Sequence, residues 1–566
     1  MNVSFQYANR HNTSVLLKID GVLANQTVCL LIDAGEGVDV DSLIDNDENE
    51  YLTGILLTHL HLDHYDTLDE NLRDGARIYT SEENEKLLDT VLSEANTNDG
   101  QSFDTQTVRS AVEPVGDGVT IGDNLTIKTA PAGHTPGATA FYLELETDSG
   151  TETILITGDF TRRKVAGYPG LSLHDADTVV LTGATSNKFE NSITDAIDNA
   201  VQQGVSGSPT LVTAAGLNSV HAAYLLGHTL EETSQSLRVN IVGQAAKLYD
   251  ALDYDVPHVN SVQEYDPSDV VDAGCITISG PDVPNSGGSK LLFDEIRDDP
   301  NAGLIQLIGS NQGEIADSRC TTNQYEFVNH PTMETIEDTL ELLNPKQVVV
   351  THQTGGDLER YRDRFSTVVW APKSNNEFTL YEGGVWSPPH WVSDGVIKTF
   401  REDASEVTLS AVDSSSRSFE RTGVDLEAEG VHVDQLALLS EGTSECKYST
   451  SPSSPSASDS GSEDGRASPP ASTPEKRAMA DGAAARPAGE GPGGIGEETD
   501  VAVTGIEGAI MEIQSSLDRI EDDLVADSGV DATTVHADGN TVVLEVEDNC
   551  ELPDEGDSVV LQQATS

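Results

Sequence analysis

The chain has 566 residues, which corresponds to three or four domains at about 150 residues each. It carries 31 lysine and arginine residues against 97 aspartate and glutamate residues, a formal net charge of −66. This charge excludes binding of nucleic acid over the whole surface, so any such contact must be local. Acidic residues spread along the whole chain predict a halophilic source, because concentrated salt screens their mutual repulsion.

The N-terminal segment and the cysteines indicate in which cellular compartment the protein is expected. No run approaches the roughly 18 apolar residues that a membrane span needs, and the N-terminal segment lacks the basic and apolar regions of a signal peptide. The five cysteines include no CxxC pair, so neither a disulfide framework nor a thiolate zinc site is expected. We therefore expect a cytoplasmic protein without a membrane partner.

Apolar runs bounded by Gly, Asp or Asn alternate with segments of helical periodicity from residue 1 to about residue 400. The runs predict strands at Val15–Ile19, Val28–Ile32, Ile55–Leu57, Thr153–Ile156 and Val179–Leu181. The periodic segments predict helices at Ser81–Leu92, Val220–Glu232 and Met333–Leu343. Strands interleaved with helices indicate an α/β protein.

The composition changes beyond residue 400. Residues 447–499 are rich in Ser, Pro, Ala, Gly and acid, and such a segment cannot bury enough apolar surface to fold. Together with the ambiguous residues before it, this segment is interpreted as a largely disordered linker over residues 401–499.

Residues 500–566 are expected to form a small α+β element. Ile and Leu residues recur every three or four positions between Ile506 and Leu524, as at the a and d positions of a coiled-coil helix. A hairpin of Thr533–His536 and Thr541–Val546 follows, with a third strand at Ser558–Gln562. The helix either packs on its own hairpin or joins two chains in a homodimer, and the sequence leaves both open.

The strongest chemical signal is the segment Thr58-His59-Leu60-His61-Leu62-Asp63-His64, which follows the predicted strand Ile55–Leu57. Three imidazoles and a carboxylate in so short a segment are hard to explain by core packing. His134, Asp159 and His352 each follow a further apolar run. Imidazoles and carboxylates at strand ends can converge on one divalent ion or on an adjacent pair.

These motifs, preceded by Leu31-Ile32-Asp33-Ala34-Gly35, resemble those of the metallo-β-lactamase superfamily in their order along the chain. The resemblance implies an αββα sandwich with two divalent metal ions, most simply zinc, at the edge of two sheets. It implies that one ion is held by His59, His61 and His134, and the other by Asp63, His64 and His352. Asp159 would bridge the two ions, and Asp33 would orient the ligand loop. These ligand types also suit manganese or iron, so the choice of metal stays open.

A narrower resemblance is to the β-CASP branch, which includes the cleavage-and-polyadenylation endonuclease and ribonuclease J. The interval between Asp159 and His352 is long enough for the α/β cap domain inserted in that branch, and Phe327-Val328-Asn329-His330 stands at its motif B histidine. The resemblance implies a ribonuclease in which Asp63 accepts the nucleophile's proton and His330 donates one to the leaving oxygen. It also implies a metallo-β-lactamase domain in two parts, 1–185 and 318–400, with the cap at 186–317.

One position departs from this branch. Its motif A acid, which pairs with the motif B histidine, should follow Val179–Leu181, where this chain has Thr182. This departure leaves open a different hydrolase on the same fold, acting on a thioester or lactone. The acidic linker and the heptad helix leave open a second alternative, a catalytically weak scaffold subunit of an RNA-processing complex.

Three consecutive positive charges follow Asp159 in this acidic chain: Arg162, Arg163 and Lys164. They are either contacts to the phosphates of RNA or the ordinary charges of a solvated loop.

Overall fold

The computed structural model describes residues 1–98, 101–148, 150–309, 318–362, 364–365, 367–372, 374–389, 391–392 and 418–437, and the backbone of 532–538, 541–546 and 558–562. It divides into two units, Met1–Thr450 and Ser451–Ser566. Within the described residues, no helix has both the length and the apolar character needed to cross a membrane.

The strands of the first unit are short and follow one another closely along the chain. They are β1 (Asn2–Tyr7), β2 (Val15–Leu23), β3 (Gln26–Ile32), β4 (Glu50–Leu56), β5 (Arg77–Thr80), β6 (Val112–Pro114), β7 (Val119–Ile121), β8 (Leu125–Pro131), β9 (Thr139–Thr147), β10 (Gly150–Ile156), β11 (Thr178–Thr182), β12 (Thr210–Ala214), β13 (Arg238–Val242), β14 (Val259–Val262), β15 (Cys275–Ser279), β16 (Gly303–Ile308), β17 (Thr321–Glu326), β18 (Gln347–Thr351), β19 (Val368–Trp370), β20 (Phe378–Glu382) and β21 (Val385–Trp386).

Helices connect many of these strands. They are α1 (Val40–Leu43), α2 (Leu62–Tyr65), α3 (Glu82–Asn98), α4 (Thr105–Ala111), α5 (Phe189–Val205), α6 (Gly216–Glu232), α7 (Gln244–Ala251), α8 (Pro267–Val270), α9 (Gly287–Ile296), α10 (Met333–Leu343) and α11 (Gly355–Glu359). Each strand and helix predicted for residues 1–400 coincides with one of these elements to within a few residues at its ends.

Two mixed sheets face each other in the order helix, sheet, sheet, helix. One sheet has the order β21-β20-β1-β2-β3-β4-β5-β6, and the other has the order β19-β18-β11-β10-β9-β8-β7. Successive side chains of a strand point to opposite faces. On β3, Leu30 therefore packs between the sheets while Leu31 faces the side of α3. On β11, Val180 packs between the sheets while Leu181 packs against α10. The expected αββα sandwich is confirmed.

A third sheet is formed by residues between Asp159 and His352. Its order is β14-β13-β15-β12-β16-β17, and all of its neighbouring strands are parallel. Helices α5, α6 and α7 cover one face and α9 covers the other, as a parallel sheet with two apolar faces requires. Because β17 pairs with β16, this layer extends beyond residue 317, where the sequence placed its end.

Residues 418–437 correct the expectation of a largely disordered linker over residues 401–499. Leu426, Val431 and Leu436 are buried there, and Glu429 is fully buried. Leu426 and Val431 pack in the same core cluster as Phe189 of α5. These apolar residues are too few and too irregularly spaced to give the clear period by which a strand or helix is predicted, so the sequence left the segment ambiguous. We call residues 418–437 the C-terminal strap.

The second unit contains three described strands: β22 (Ala532–Asp538), β23 (Thr541–Val546) and β24 (Ser558–Gln562). They form an antiparallel sheet in the order β22-β23-β24, as the hairpin pattern predicts. The predicted coiled-coil helix, with the proposed homodimer contact, and linker residues 401–417 and 438–499 lie outside the described residues.

Candidate metal centre

The histidines and aspartates singled out in the sequence follow strands that end at one edge of the sandwich. β10, β11 and β18 are parallel neighbours, so their carboxyl ends lie side by side. Asp159 and His352 come just after β10 and β18, and Thr182 is the last residue of β11. The first histidines follow β4 in the facing sheet, and His134 follows β8.

His59, His61 and His134 bring three ring nitrogens together. Nδ1 of His61 lies 3.2 Å from Nε2 of His59 and 3.1 Å from Nε2 of His134. A tetrahedral zinc ion with Zn–N distances of about 2.0–2.1 Å holds neighbouring nitrogens about 3.3 Å apart. The spacing of the three imidazoles therefore suits a single ion.

Asp63, His64 and His352 form a second group beside the first. Oδ2 of Asp63 lies 3.7 Å from Nε2 of His64 and 3.8 Å from Nε2 of His352. Among the described residues, both of these ring nitrogens are buried without a hydrogen-bond partner. A buried polar atom without a partner is costly. Coordination of a cation would satisfy both nitrogens.

The Asp159 carboxylate lies between the two groups. Its Oδ2 is 3.9 Å from Nε2 of His64 and 3.2 Å from Nε2 of His330. Its Oδ1 is 3.4 Å from Nδ1 of His352 and accepts a 2.8 Å hydrogen bond from the Thr182 hydroxyl. Donor atoms of Asp159 and His330 also lie within 4.8 Å of the His134 ring. One carboxylate thus faces both groups, and His330 reaches the same place from the loop after β17.

Asp33 holds two of the imidazoles in orientation. Its Oδ2 accepts hydrogen bonds from Nδ1 of His64 at 2.7 Å and from the Thr58 hydroxyl at 2.8 Å. Since the hydroxyl proton of Thr58 points to Asp33, its oxygen accepts from Nδ1 of His59 at 3.0 Å. The His59 ring therefore carries its proton on Nδ1 and turns an unprotonated Nε2 to the centre. The His64 ring likewise donates from Nδ1, to Asp33, and turns Nε2 to the centre, the orientation typical of metal-binding histidines.

Asn329 holds the third imidazole in the same way. Its carbonyl oxygen accepts from Nδ1 of His134 at 3.1 Å, and its side-chain Nδ2 donates to the His134 carbonyl at 3.1 Å. Sequence reasoning missed both Asn329 and Thr58. Each stands directly before a singled-out histidine, and that adjacency is the one signal that could have found them.

The backbone of the centre is held in an uncommon conformation. Asp33, His134 and His352 have φ values of 55°, 61° and 57°, in the left-handed region that non-glycine residues seldom adopt. Such strain persists only where the surroundings enforce it, and it concentrates at functional sites. At Gly35, a Cβ atom would lie 2.0 Å from the Asp63 carbonyl oxygen. Any larger residue at position 35 would therefore displace the loop that carries Asp63.

The electrostatics of the centre favour a cation. Burial lowers the pKa of His61 to about 4 and holds the pKa values of His59 and His134 well below their ordinary range, so these rings are neutral donors. Burial opposes charging of His64, but Asp33 and Asp63 beside it raise its pKa to about 10. Burial likewise opposes ionisation of Asp159, but His352 and His330 hold its pKa well below the usual value. Three neutral imidazoles beside anionic carboxylates fit a divalent metal ion, which would take the place of the second proton of His64.

The three positive charges after Asp159 have different surroundings. The Arg163 guanidinium donates to Oδ1 of Asn329 and to the His330 carbonyl oxygen, and it pairs with Glu190 at 3.1 Å. Lys164 donates from Nζ to the Gly423 carbonyl oxygen. Arg162 is exposed. Arg163 and Lys164 thus bond within the protein, and the phosphate contact stays a prediction for all three residues.

A cavity of about 340 Å³ opens beside the centre. Asp63 and His352 form its inner wall. Its remaining walls are Asn9, His11, Thr13, Glu36, Gln353 and Thr354. The cavity gives a small group access to the exposed side of the second donor group.

No protein-family model matches the chain, and no curated protein matches it. Among solved structures, a protein of unknown function from Enterococcus faecalis V583 is 12% identical over 67% of this chain and 100% of its own, with a TM-score of 0.48. BJP-1, a subclass B3 metallo-β-lactamase of Bradyrhizobium japonicum, is 21% identical over 29% of this chain and 69% of its own, with a TM-score of 0.22. A mutant of AiiA from B. thuringiensis has N-decanoyl-L-homoserine bound at its active site. It is 15% identical over 28% of this chain and 74% of its own, with a TM-score of 0.18.

These identities and TM-scores are too low to indicate an activity. The chain's own geometry goes further, because clustered His and Asp donors at one edge of the sandwich can hold divalent metal ions.

Proposed function

We propose that the protein is a zinc-dependent phosphodiesterase that hydrolyses RNA. The observation that carries this proposal is the arrangement of two three-residue donor groups on either side of Asp159, with His330 against the same carboxylate. The first ion would be held by His59, His61 and His134, and the second by Asp63, His64 and His352. Two divalent ions held there would lower the pKa of a water molecule and stabilise negative charge on the phosphoryl group.

Asp63 is suited to accept the proton of the attacking water. Its carboxylate is anionic near neutral pH, and its Oδ2 lies 3.7 Å from Nε2 of His64 and 3.8 Å from Nε2 of His352. Its side chain is 61% exposed and lines the cavity, unlike the buried Asp159. A carboxylate that faces both the donor group and solvent can take up a proton and release it to water.

His330 is suited to donate a proton to the leaving oxygen. Its Nε2 lies at the centre, 3.2 Å from Oδ2 of Asp159, and its side chain is 18% exposed, so that substrate can reach it. When the P–O bond breaks, the leaving ribose oxygen takes the proton from Nε2. General acid catalysis of this kind contributes about 10²–10⁴-fold in rate.

The inserted layer supports a polymeric substrate over a small one. The chain that leaves β17 of the inserted sheet carries His330 directly into the centre. A polymer lying along the centre would therefore contact the insertion as well as the sandwich. The net charge of −66 confines such contact to a local surface, where exposed Arg162, three residues beyond Asp159, is available to a phosphate.

Hydrolysis of a thioester or lactone is a second candidate, favoured by Thr182. No acid stands at that position to pair with His330, and a thioester, whose thiolate is a good leaving group, needs no such donor. The two candidates differ in whether the reaction requires His330.

The test is cleavage of end-labelled single-stranded RNA by zinc-loaded full-length protein in about molar KCl, with metal content measured on the same sample. We expect cleavage by the wild type and a loss of at least about 10³-fold in Asp159→Asn. The matched control is His258→Ala, which removes an imidazole of the inserted layer that pairs with Glu231. Metal-loaded protein that leaves RNA intact but hydrolyses a thioester would replace the first candidate by the second, and inactivity on both would contradict both.

A further inference from the structure

The loop that follows Asp159 ends in a tight turn. Val165 and Tyr168 exchange backbone hydrogen bonds of 2.9 and 3.0 Å, and the two residues between them, Ala166 and Gly167, have φ values of 51° and 88°. Positive φ at both central positions defines a type I′ turn. The backbone N–H groups of these central residues point away from the turn and need acceptors from elsewhere.

Glu429 of the C-terminal strap supplies both acceptors. Its Oε2 accepts from the backbone N–H of Ala166 at 2.7 Å, and its Oε1 accepts from that of Gly167 at 2.7 Å. Nε2 of His221, on α6 of the inserted layer, lies 3.0 Å from Oε2. The Glu429 side chain is 0% exposed. A carboxylate buried this deeply is tolerated only with such a set of donors, so it fixes the turn rigidly.

Other contacts of the strap reach the same loop. The Lys164 N–H donates to the Ala428 carbonyl at 2.9 Å, and the Thr422 N–H donates to the Gly167 carbonyl at 2.9 Å. At Gly430, where φ is 91°, a Cβ atom would lie 3.2 Å from Cδ of Arg163. The strap therefore packs directly against the Arg163 side chain.

Arg163 connects this loop to the proposed proton donor. Its Nη2 donates to the His330 carbonyl at 2.8 Å and to Oδ1 of Asn329 at 3.0 Å, and its Nε donates to the same oxygen at 3.2 Å. Its guanidinium also stacks over Phe189 at 4.9 Å. Asn329 is hydrogen-bonded to His134 through both its carbonyl oxygen and its side-chain amide. Arg163 therefore fixes the position, relative to the metal centre, of the loop that carries His330.

We propose that Glu429 is a positioning residue for the metal centre, acting through the 165–168 turn and Arg163 to place His330 against Asp159. This inference rests on the proposed function only in taking His330 as the proton donor. The strap, which the sequence assigned to a linker, then supports the position of His330, although Glu429 touches no reacting atom.

The kinetic test compares Glu429→Gln with Glu427→Gln in the full-length zinc-loaded protein. Glu427 lies in the same strap but accepts from the Val433 N–H and faces His432, away from the turn. The substrates are RNA and bis(p-nitrophenyl) phosphate, whose nitrophenolate leaves without a proton. We expect kcat on RNA to fall about 10- to 100-fold in Glu429→Gln with KM within about twofold, and kcat on the nitrophenyl diester to change less than about twofold.

The double variant Glu429→Gln/His330→Ala distinguishes positioning from support of the fold. If Glu429 acts through His330, the double variant is no slower on RNA than His330→Ala alone. An equal fall on both substrates in Glu429→Gln would overturn the proposal. Should that variant fail to fold, Arg163→Lys is the second test, because a lysine cannot bond two acceptors in one plane, and the same difference between substrates is expected.

Hydrogen–deuterium exchange separates this inference from the proposed function. In zinc-loaded protein, Glu429→Gln is expected to speed exchange in peptides covering 163–168 and 326–332, whereas Glu427→Gln leaves both unchanged. That result would support positioning even if the wild type left RNA intact, in which case only the proposed function fails. If exchange became faster at 163–168 but did not change at 326–332, the inference would be overturned.

Discussion

The Thr182 hydroxyl donates a 2.8 Å hydrogen bond to Oδ1 of Asp159, the carboxylate that faces both donor groups. Thr182 is fixed at the end of β11, with its backbone N–H bonded to the Thr157 hydroxyl at 3.2 Å. An acid at this position would set a second buried anion against Asp159. The neutral hydroxyl instead orients the carboxylate without competing with it for cations.

Removing that hydroxyl should weaken metal binding. Thr182→Val keeps the shape of the side chain but leaves Oδ1 of Asp159 without its donor, and loss of such a bond typically costs 10- to 100-fold in metal affinity. We expect a fall of about tenfold, measured by competition with a chromogenic chelator. Thr178→Val, on the same strand, removes a buried hydroxyl that accepts only from Gln347 at 3.1 Å. An equal fall in both variants would contradict the role of Thr182.

Asp33 should matter more than Thr182, because it supports two rings. In Asp33→Asn one carboxylate oxygen becomes an NH₂ group, which cannot accept from both Thr58 and His64. We expect a loss of metal affinity of about 10- to 100-fold. The control is Asp20→Asn, which changes an exposed carboxylate on β2. Unchanged metal affinity in Asp33→Asn would show that the imidazoles hold their orientation without it.

Lys18 and its two carboxylate partners should make the free energy of unfolding depend on pH, both in acid and in alkaline solution. Its Nζ lies 2.9 Å from Oε2 of Glu50 and 2.9 Å from Oε2 of Glu377. Although burial opposes it, hydrogen bonds from Ser4 and Lys18 lower the pKa of Glu377 below its ordinary 4.5. A carboxyl group whose pKa is lower in the folded than in the unfolded protein stabilises the fold at pH values above its unfolded pKa. That stabilisation is lost as the pH falls through the folded pKa. Burial likewise opposes the charge of Lys18, but hydrogen bonds to the two carboxylates raise its pKa above 10.5. The charged lysine therefore stabilises the fold fully below pH 10.5, and this stabilisation is lost as the pH rises through the folded pKa.

We therefore expect the wild type to lose stability more steeply than Lys18→Met below about pH 4.5. Without the lysine, protonation relieves the repulsion between Glu50 and Glu377. The measurement is urea unfolding of metal-free protein at a series of pH values. Lys290→Met removes an exposed lysine that pairs with Asp294, and it should follow the wild type. Parallel curves for wild type and Lys18→Met would refute this prediction.

The net charge of −66 predicts that salt stabilises the fold. Raising KCl from about 0.1 M to about 1 M shortens the Debye length from roughly 10 Å to roughly 3 Å, which screens the repulsion between surface carboxylates. We expect Tm to rise with KCl in differential scanning calorimetry. Sucrose of equal osmolality is the control, because it leaves charges unscreened, and a Tm that rises equally in both would contradict the electrostatic cause.

Local patterns in the sequence were enough to predict much of the sandwich and to pick out the donor residues. β2, β3 and β11 were predicted without any distant partner, because each contains a continuous apolar run of consecutive residues bounded by Gly, Asp or Asn. His59, His61 and His64 lie in one short segment after β4, so their proximity also follows from the chain alone.

Contacts between residues far apart in the chain were decided only by the tertiary structure. Thr182 meets Asp159 because β10 and β11 are parallel neighbours, and Arg163 meets His330 across 167 positions. Glu429 reaches Ala166 from a stretch that the sequence left ambiguous and grouped with the linker. Composition averages over a segment, whereas burial depends on a few side chains finding distant partners, so neither the engagement of Arg163 nor the docking of the strap could be inferred without the fold.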